Sequence, residues 1–282
     1  MSAPNLTSRW MAAARARESR RPDRLFDDPL SPALSGPKGF VWLDMMDLAS
    51  YPLGPGPGLY SVVRTRFFDE FLGSAVAGIE EPQVVLLAAG MDARAFRIQW
   101  PPGTRVYELD LPEVLELKEE LLTRTGAAES CERRLVGTDL ASDGWVRNLR
   151  EAGHDAERPT IWLAEGILLY LAETEVRGVL AGVDQLSGPR SRLGADLINR
   201  DMFLSPSGWP ILEAFSWLGS PLRFGTNTPE DLLAEHGWRA RALQPGEKGA
   251  DYGRWPYPVP PRNISGLPRS FLLTAHRTGD EA

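Results

Sequence analysis

The chain has 282 residues, 43% of them hydrophobic, with a net charge of −7 and a sequence pI of about 5.2. That is enough apolar sequence for one large domain, or one domain with an added cap, and the negative balance excludes nucleic-acid binding through a bulk positive field. One cysteine, Cys131, excludes an intrachain disulfide framework, and three widely separated histidines, His154, His236 and His276, offer no zinc-ligand spacing, so no metal is expected.

Taken in chain order, "TSRWMAAARARES" (7–19) predicts a helix with Thr7 or Ser8 as N-cap, ended by Pro22. The arginines of 15–24 read as its solvated face. Residues 27–39, "DDPLSPALSGPKG", read as loop. So does "YPLGPGPGLY" (51–60), with three prolines and three glycines in ten residues. "SVVRTRFFDEFLGSAV" (61–76) carries Val62, Val63, Phe67, Phe71, Leu72 and Val76 at helical spacing. Residues 1–80 thus form a helical lead-in or cap, and 81–282 the rest of a single domain.

After Pro82 strands and helices alternate. Strands are expected at 83–89, 104–110, 133–140, 160–166 and 191–198, and helices at 112–126, 144–153 and 172–188. Two more strands, 237–244 and 268–277, would pair as a hairpin across a long connection. This pattern implies right-handed crossovers and an α/β, Rossmann-like, mostly parallel seven-stranded sheet with helices on both faces. The run Val84–Leu87 suits a strand buried on both faces. Charge and proline in the first thirty residues, with no apolar core, and no run long enough to span a bilayer point to a soluble, cytoplasmic chain.

In such a sheet, ligands bind past the carboxyl ends of the strands. Four strand ends here carry acids or glycine: Gly90 and Asp92, then Glu108 and Asp110, then Asp139, then Glu165 and Gly166. Asp139 alone would be an ordinary helix cap. Asp110, twenty residues after Gly90, is placed to accept the hydroxyls of a ribose, and Gly90 lets a ligand approach the backbone. A dinucleotide would need more glycines, and an acid two residues after Gly90 would repel pyrophosphate. The pattern suits a ribonucleoside cofactor bearing a cation and no phosphate, such as S-adenosylmethionine.

The stretch "VVLLAAGMDARAFRIQWPPGTRVYELDLPEVLELKEELL" resembles the cofactor-binding segment of the leucine carboxyl methyltransferase family, class I S-adenosylmethionine-dependent enzymes. It is most similar to the bacterial branch that includes polyketide O-methyltransferases of the tetracenomycin type. "WMAAARARESRRPDRLFDDPL", "VVRTRFFDEFL", "WLAEGILLYL" and "YGRWPYPVPPR…PRSFLLTAHR" resemble its other segments, in the same order and over nearly the whole chain. The resemblance implies that Arg64 holds the methionine carboxylate of the cofactor, that Gly90 lines the methionine end and that Asp110 takes the ribose hydroxyls. It further implies that Asp139 and Leu140 flank the adenine and that Glu165 lies near the amino-acid end. One departure stands out: Ala88-Ala89-Gly90 replaces the family's usual G-A-G.

The reaction implied is O-methylation of a carboxylate or phenolic hydroxyl on a small natural-product acceptor, with no nucleic-acid or membrane partner. No catalytic base is assigned. Tyr170, after the fourth strand, is the candidate for lining the acceptor pocket. Arg94 and Arg97 read as loop-holding ion pairs, Trp162 as core, Trp100 as loop packing, and His154 and His236 as surface. Aromatic residues at 209–257, from Trp209 to Tyr257, lie near possible lids, with Phe215 and Trp217 expected in the core. Two other readings fit the same residues: a methyltransferase-fold protein performing cyclisation or other non-methylating chemistry, and a nicotinamide oxidoreductase, which the missing glycines disfavour.

Overall fold

The computed structural model describes residues 3–50 and 56–277. Three helices come first: α1 (Ala3–Ser19), α2 (Ser31–Ser50) and α3 (Pro57–Val76). Then follow β1 (Gln83–Leu87), α4 (Arg94–Arg97), β2 (Arg105–Asp110), α5 (Pro112–Thr123), β3 (Glu132–Gly137) and α6 (Trp145–Glu151). Next are β4 (Thr160–Ala164), a 3-10 turn (Leu168–Tyr170), α7 (Glu173–Gln185) and β5 (Arg192–Ile198). The chain closes with α8 (Asp201–Leu204), α9 (Trp209–Trp217), α10 (Pro229–Ala234), β6 (Trp238–Leu243) and β7 (Ser270–Arg277).

The strands form one seven-stranded sheet in the order β3-β2-β1-β4-β5-β7-β6. β1 to β5 run parallel, and β7 pairs antiparallel with both β5 and β6. Alternation along each strand divides the core in two, because successive side chains point to opposite faces. Val84, Leu86, Ile161 and Leu163 pack under Phe67, Phe68, Phe71 and Leu72 of α3. Val85, Leu87, Trp162 and Leu193 pack on the other face with Trp145 and Leu149 of α6 and Val176, Val179 and Val183 of α7. A Cβ on Gly194 would lie 2.8 Å from the Phe71 ring, so only glycine lets α3 sit this close to β5.

The reversal of order beside β1 places a crevice above the β1–β4 ends. α1 lies over it. Ala12 packs with Leu34, Met91 and Val114, and Trp10, Ala13 and Ala14 pack with Leu43, Met46 and Phe215. α1 is therefore buried around most of its girth.

Several expectations are corrected. Residues 31–39 are helical, not loop: α2 bends at Gly36 (φ 55°, ψ 176°) and resumes at Pro37. The first piece, before Gly36, carries Pro32 in its first turn and is too short to show a period in sequence, and the second begins at Pro37, which suits a first helical turn. Of the proline–glycine segment 51–60, residues 51–55 lie outside the described residues. From Pro57 onward it is the first turn of α3, with Gly56 as N-cap. Arg15 is not on a solvated face; it is buried and paired with Asp28 at 2.8 Å. His154 is not at the surface but stands between the Tyr107 and Trp162 rings, its Nε2 2.9 Å from the Thr160 hydroxyl. Trp217 is 71% exposed rather than core.

Candidate functional site

β1 is Gln83 followed by four apolar residues, all buried, and it ends at Leu87. The chain then turns sharply. Ala88 takes φ +55° and Gly90 φ +48°, both left-handed, and the Ala89 amide still donates to the Leu109 carbonyl at 2.9 Å. Asp110, the last residue of β2, grips this turn: its Oδ2 accepts the Gly90 amide at 2.7 Å and its Oδ1 accepts that of Leu111 at 2.7 Å. Burial pushes the Asp110 carboxyl up to about 6, although the two amide bonds pull the other way.

Above these ends lies a cavity of about 420 Å³. Its floor is Ala88–Asp92, Asp110, Thr138–Ala141, and Glu165–Ile167; its roof is Thr7, Ser8, Met11 and Arg15 of α1. Four carboxylates line it, Asp92, Asp110, Asp139 and Glu165, against two guanidiniums, Arg15 and Arg223. Arg15 is already matched by Asp28, which lies outside the lining. Arg94 and Arg64, also outside the lining, match Asp92 and Glu165 in the same way. The lining carboxylates without an ion-pair partner among the described residues are therefore Asp110 and Asp139, which favour a ligand rich in hydrogen-bond donors or positive charge.

A buried ion network fixes the wall. The Glu165 carboxylate accepts from Arg64 Nε at 3.0 Å and from Arg94 Nη1 at 2.7 Å. Arg94 also pairs with Asp92 and, at 2.8 Å, with Asp69, which Arg97 holds from the other side. Burial opposes the charge on Asp92, but Arg94 prevails and holds its carboxyl down at about 2. Asp196 of β5, fully buried, accepts three donors: Arg64 Nη1 at 2.8 Å, the Tyr60 hydroxyl at 2.9 Å and the Gly166 amide at 2.5 Å. Burial, and then Asp196, raise the Tyr60 phenol above its ordinary range, so it stays protonated.

A second cavity, of about 400 Å³, opens beside the first. Trp10, Tyr60, Phe215, Trp255 and Tyr257 give it an aromatic lining, and Met11 and Tyr170 line both cavities. The Tyr170 ring leans on Phe215, with centroids 6.0 Å apart, and burial raises its phenol well above the ordinary value.

Gly90, Asp110, Asp139, Leu140, Glu165 and Tyr170 all line the first cavity, as the strand ends imply. Asp139 also behaves as a turn former, its Oδ1 accepting the Ala141 amide at 2.9 Å. Arg64 lines the second cavity rather than the first, with two of its nitrogens engaged by Glu165 and Asp196 and Nη2 3.4 Å from Met11 Sδ. Arg94 and Arg97 are loop-holding ion pairs, as expected. The sequence reading did not single out Asp196, Tyr60, Met11 or Arg15. Asp196 had a signal, a lone acid inside an otherwise apolar strand, and Tyr60 stands four residues before Arg64 on one helix face. Among the described residues no group of acids, histidines or cysteine is arranged for a metal, and no helix is long and apolar enough to cross a membrane.

Residues 8–184 match the family model for leucine carboxyl methyltransferase. A relative from Parafrankia sp. (strain EAN1pec), named "Putative S-adenosyl-L-methionine-dependent methyltransferase", is 40% identical, over 98% of this chain and 87% of that protein. Relatives with names of the same kind from Saccharopolyspora erythraea and Streptomyces coelicolor are 38% and 39% identical, over 90% and 88% of this chain and 90% and 87% of their own. Among solved structures, a DUF574 family protein from Streptomyces avermitilis has the same fold, with a TM-score of 0.63 at 13% identity over 96% of this chain and 97% of that one.

Proposed function

The chain belongs to the leucine carboxyl methyltransferase family and is a methyltransferase dependent on S-adenosyl-L-methionine; from that premise we propose that it methylates an oxygen of a small, largely apolar acceptor. The observation that carries this is the pair of cavities sharing Met11 and Tyr170. One has the charge and glycine turns for the cofactor, the other an aromatic lining for the acceptor, and only those two side chains are common to both.

The residues fit that cofactor. Asp110 and Asp139, lining carboxylates without a guanidinium partner among the described residues, suit hydroxyl and ammonium donors and would repel the pyrophosphate of a nicotinamide dinucleotide. Asp110 would accept the ribose hydroxyls, and Asp139 and Leu140 would bracket the adenine. Gly90 and Glu165 would face the amino-acid end. Arg64 orients Glu165 from behind, and its Nη2, 3.4 Å from Met11 Sδ on the shared wall, would be the donor for the methionine carboxylate.

When bound, the cofactor supplies a methyl group already activated on a sulfonium, which leaves by in-line displacement. The chain's part is alignment and exclusion of water. Met11 and Tyr170 define the passage, and α1, Trp255 and Tyr257 close the two chambers. Among the described residues no free base faces the acceptor: Asp196 is saturated by three donors, and Tyr60 and Tyr170 remain neutral phenols. An acceptor oxygen that arrives ionised, a carboxylate or an acidic phenol, needs none. On this reading the acceptor is of the kind the polyketide-type bacterial branch methylates, in a cytoplasmic role in secondary metabolism. On this reading 1–80 and 81–282 act as one domain, since α1 and α3 wall the cavities that the sheet floors.

The test is mass spectrometry of products formed with methyl-labelled cofactor from a panel of aromatic acids and phenols. Label on oxygen is expected. Label on nitrogen or carbon would refute the oxygen assignment, and cofactor binding without transfer would favour a non-methylating chemistry.

A further inference from the structure

Arg269 lines the acceptor cavity and is 6% exposed, with no carboxylate partner among the described residues. Five other arginines with buried side chains, Arg15, Arg64, Arg94, Arg97 and Arg133, each face at least one carboxylate. Arg269 instead donates to main-chain carbonyls, from Nη1 to Leu267 at 3.0 Å and from Nη2 to Pro261 at 2.8 Å and Ile264 at 2.5 Å. Its Nε is buried with no partner at all. Neutral carbonyls satisfy N–H groups but leave the charge uncompensated, and an isolated charge in a cavity walled by Trp255, Tyr257, Phe215 and Ile198 is costly.

Its position is fixed. The Arg269 amide donates to Asn199 Oδ1 at 2.8 Å, and Asn199 Nδ2 donates to the Leu267 carbonyl at 2.8 Å. Arg269 directly precedes β7, which is separated from β4 by β5 alone. Tyr170 follows β4. Two strand spacings, about 10 Å, therefore separate the strands that carry the two residues. The three carbonyl bonds hold the guanidinium against the 261–267 segment.

We propose that Arg269 is the counter-ion for an acidic group on the acceptor, distinct from the oxygen that receives the methyl. The acceptor is then an elongated apolar molecule, anionic at the end remote from the reacting oxygen. This rests on the two-cavity reading above and names the substrate class for it.

The test uses the full chain saturated with S-adenosylhomocysteine and two probes of one shape, 6-hydroxy-2-naphthoate and 6-hydroxy-2-naphthamide, in titration calorimetry. A hydrogen-bonded charge predicts that the acid binds about ten- to a hundredfold more tightly than the amide. Arg269→Met should erase that ratio and Arg269→Lys should keep part of it, with S-adenosylhomocysteine affinity unchanged in both. A role confined to pinning the 261–267 segment would weaken both probes alike and leave the ratio intact. Equal binding of acid and amide by the wild-type chain, binding of neither, or a ratio that survives in Arg269→Met would overturn the proposal. The wild-type comparison decides alone if Arg269→Met does not fold. Failure of S-adenosylhomocysteine itself to bind would instead strike the cofactor reading.

Discussion

The Asp110 carboxylate holds the Gly90 amide at 2.7 Å, clamping the end of β2 to the turn after β1. One side chain therefore shapes the turn and lines the cofactor cavity. Its two jobs separate by mutation. Asp110→Ala removes an acceptor for the ribose, worth about 1.5–3 kcal/mol, or about ten- to a hundredfold in Kd. It also leaves two amides without their acceptor, so the melting temperature should fall as well. Calorimetry with S-adenosylhomocysteine and a thermal scan report the two effects, and an unchanged Kd would refute the ribose assignment.

The same group predicts a pH dependence. Burial raises Asp110 from 3.8 to about 6 in the folded chain. The stability gained by its protonation is full below about pH 4 and lost as pH rises through 6. At neutral pH the carboxylate is thus ionised at a cost, ready for hydroxyl donors. Affinity for S-adenosylhomocysteine should fall as pH drops below about 6, and Asp110→Asn should flatten that arm. A wild-type Kd that does not change between pH 7.5 and 5 contradicts this.

Ala88 sits at φ +55°, where a Cβ is strained by about 1–2 kcal/mol. The methyl group therefore strains the backbone itself, whatever it does to the cofactor. Ala88→Gly should stabilise the chain by about 0.5–1 kcal/mol once the entropy of glycine is offset, reversing the loss expected if Ala88 were still strand. Denaturant unfolding measures the sign. A destabilised variant would show that the Ala88 methyl is a packing contact worth more than the strain.

His154 is buried neutral, and burial lowers it from 6.5 to about 4. A depressed value means the stability is present above pH 6.5 and lost as pH falls through 4. The full loss is about 3 kcal/mol. Unfolding curves at pH 7, 5.5 and 4 should show wild type weakening more steeply than His154→Gln. Parallel curves would assign the acid sensitivity to other groups.

Tyr170 divides the two cavities with Met11. Tyr170→Ala should merge them, admit water and loosen alignment, lowering kcat about tenfold or more while the cofactor Kd stays within about twofold. Loss of cofactor affinity equal to the loss of kcat would make Tyr170 part of the cofactor site instead.

The sequence by itself determined the sheet and its cofactor edge. Strands of five to eight residues, apolar at the centre of the sheet and punctuated by glycine and acids, leave few other arrangements, so β1 to β7 and the place of Gly90 and Asp110 at the strand ends were legible. The helices α4 and α8, four residues each, hold too few turns to show a period, and the start of α2, with Pro32, Gly36 and Pro37 close together, mimics a loop. Only the tertiary structure decided which charges meet. Arg64 finds Glu165 and Asp196 across 101 and 132 residues, and Arg254 finds Glu18 across 236. No local pattern encodes such pairs, because they arise when helices, strands and loops far apart in sequence converge. The same convergence left Arg269 with carbonyls and no acid, and an arginine in sequence gives no sign of whether its charge will be met.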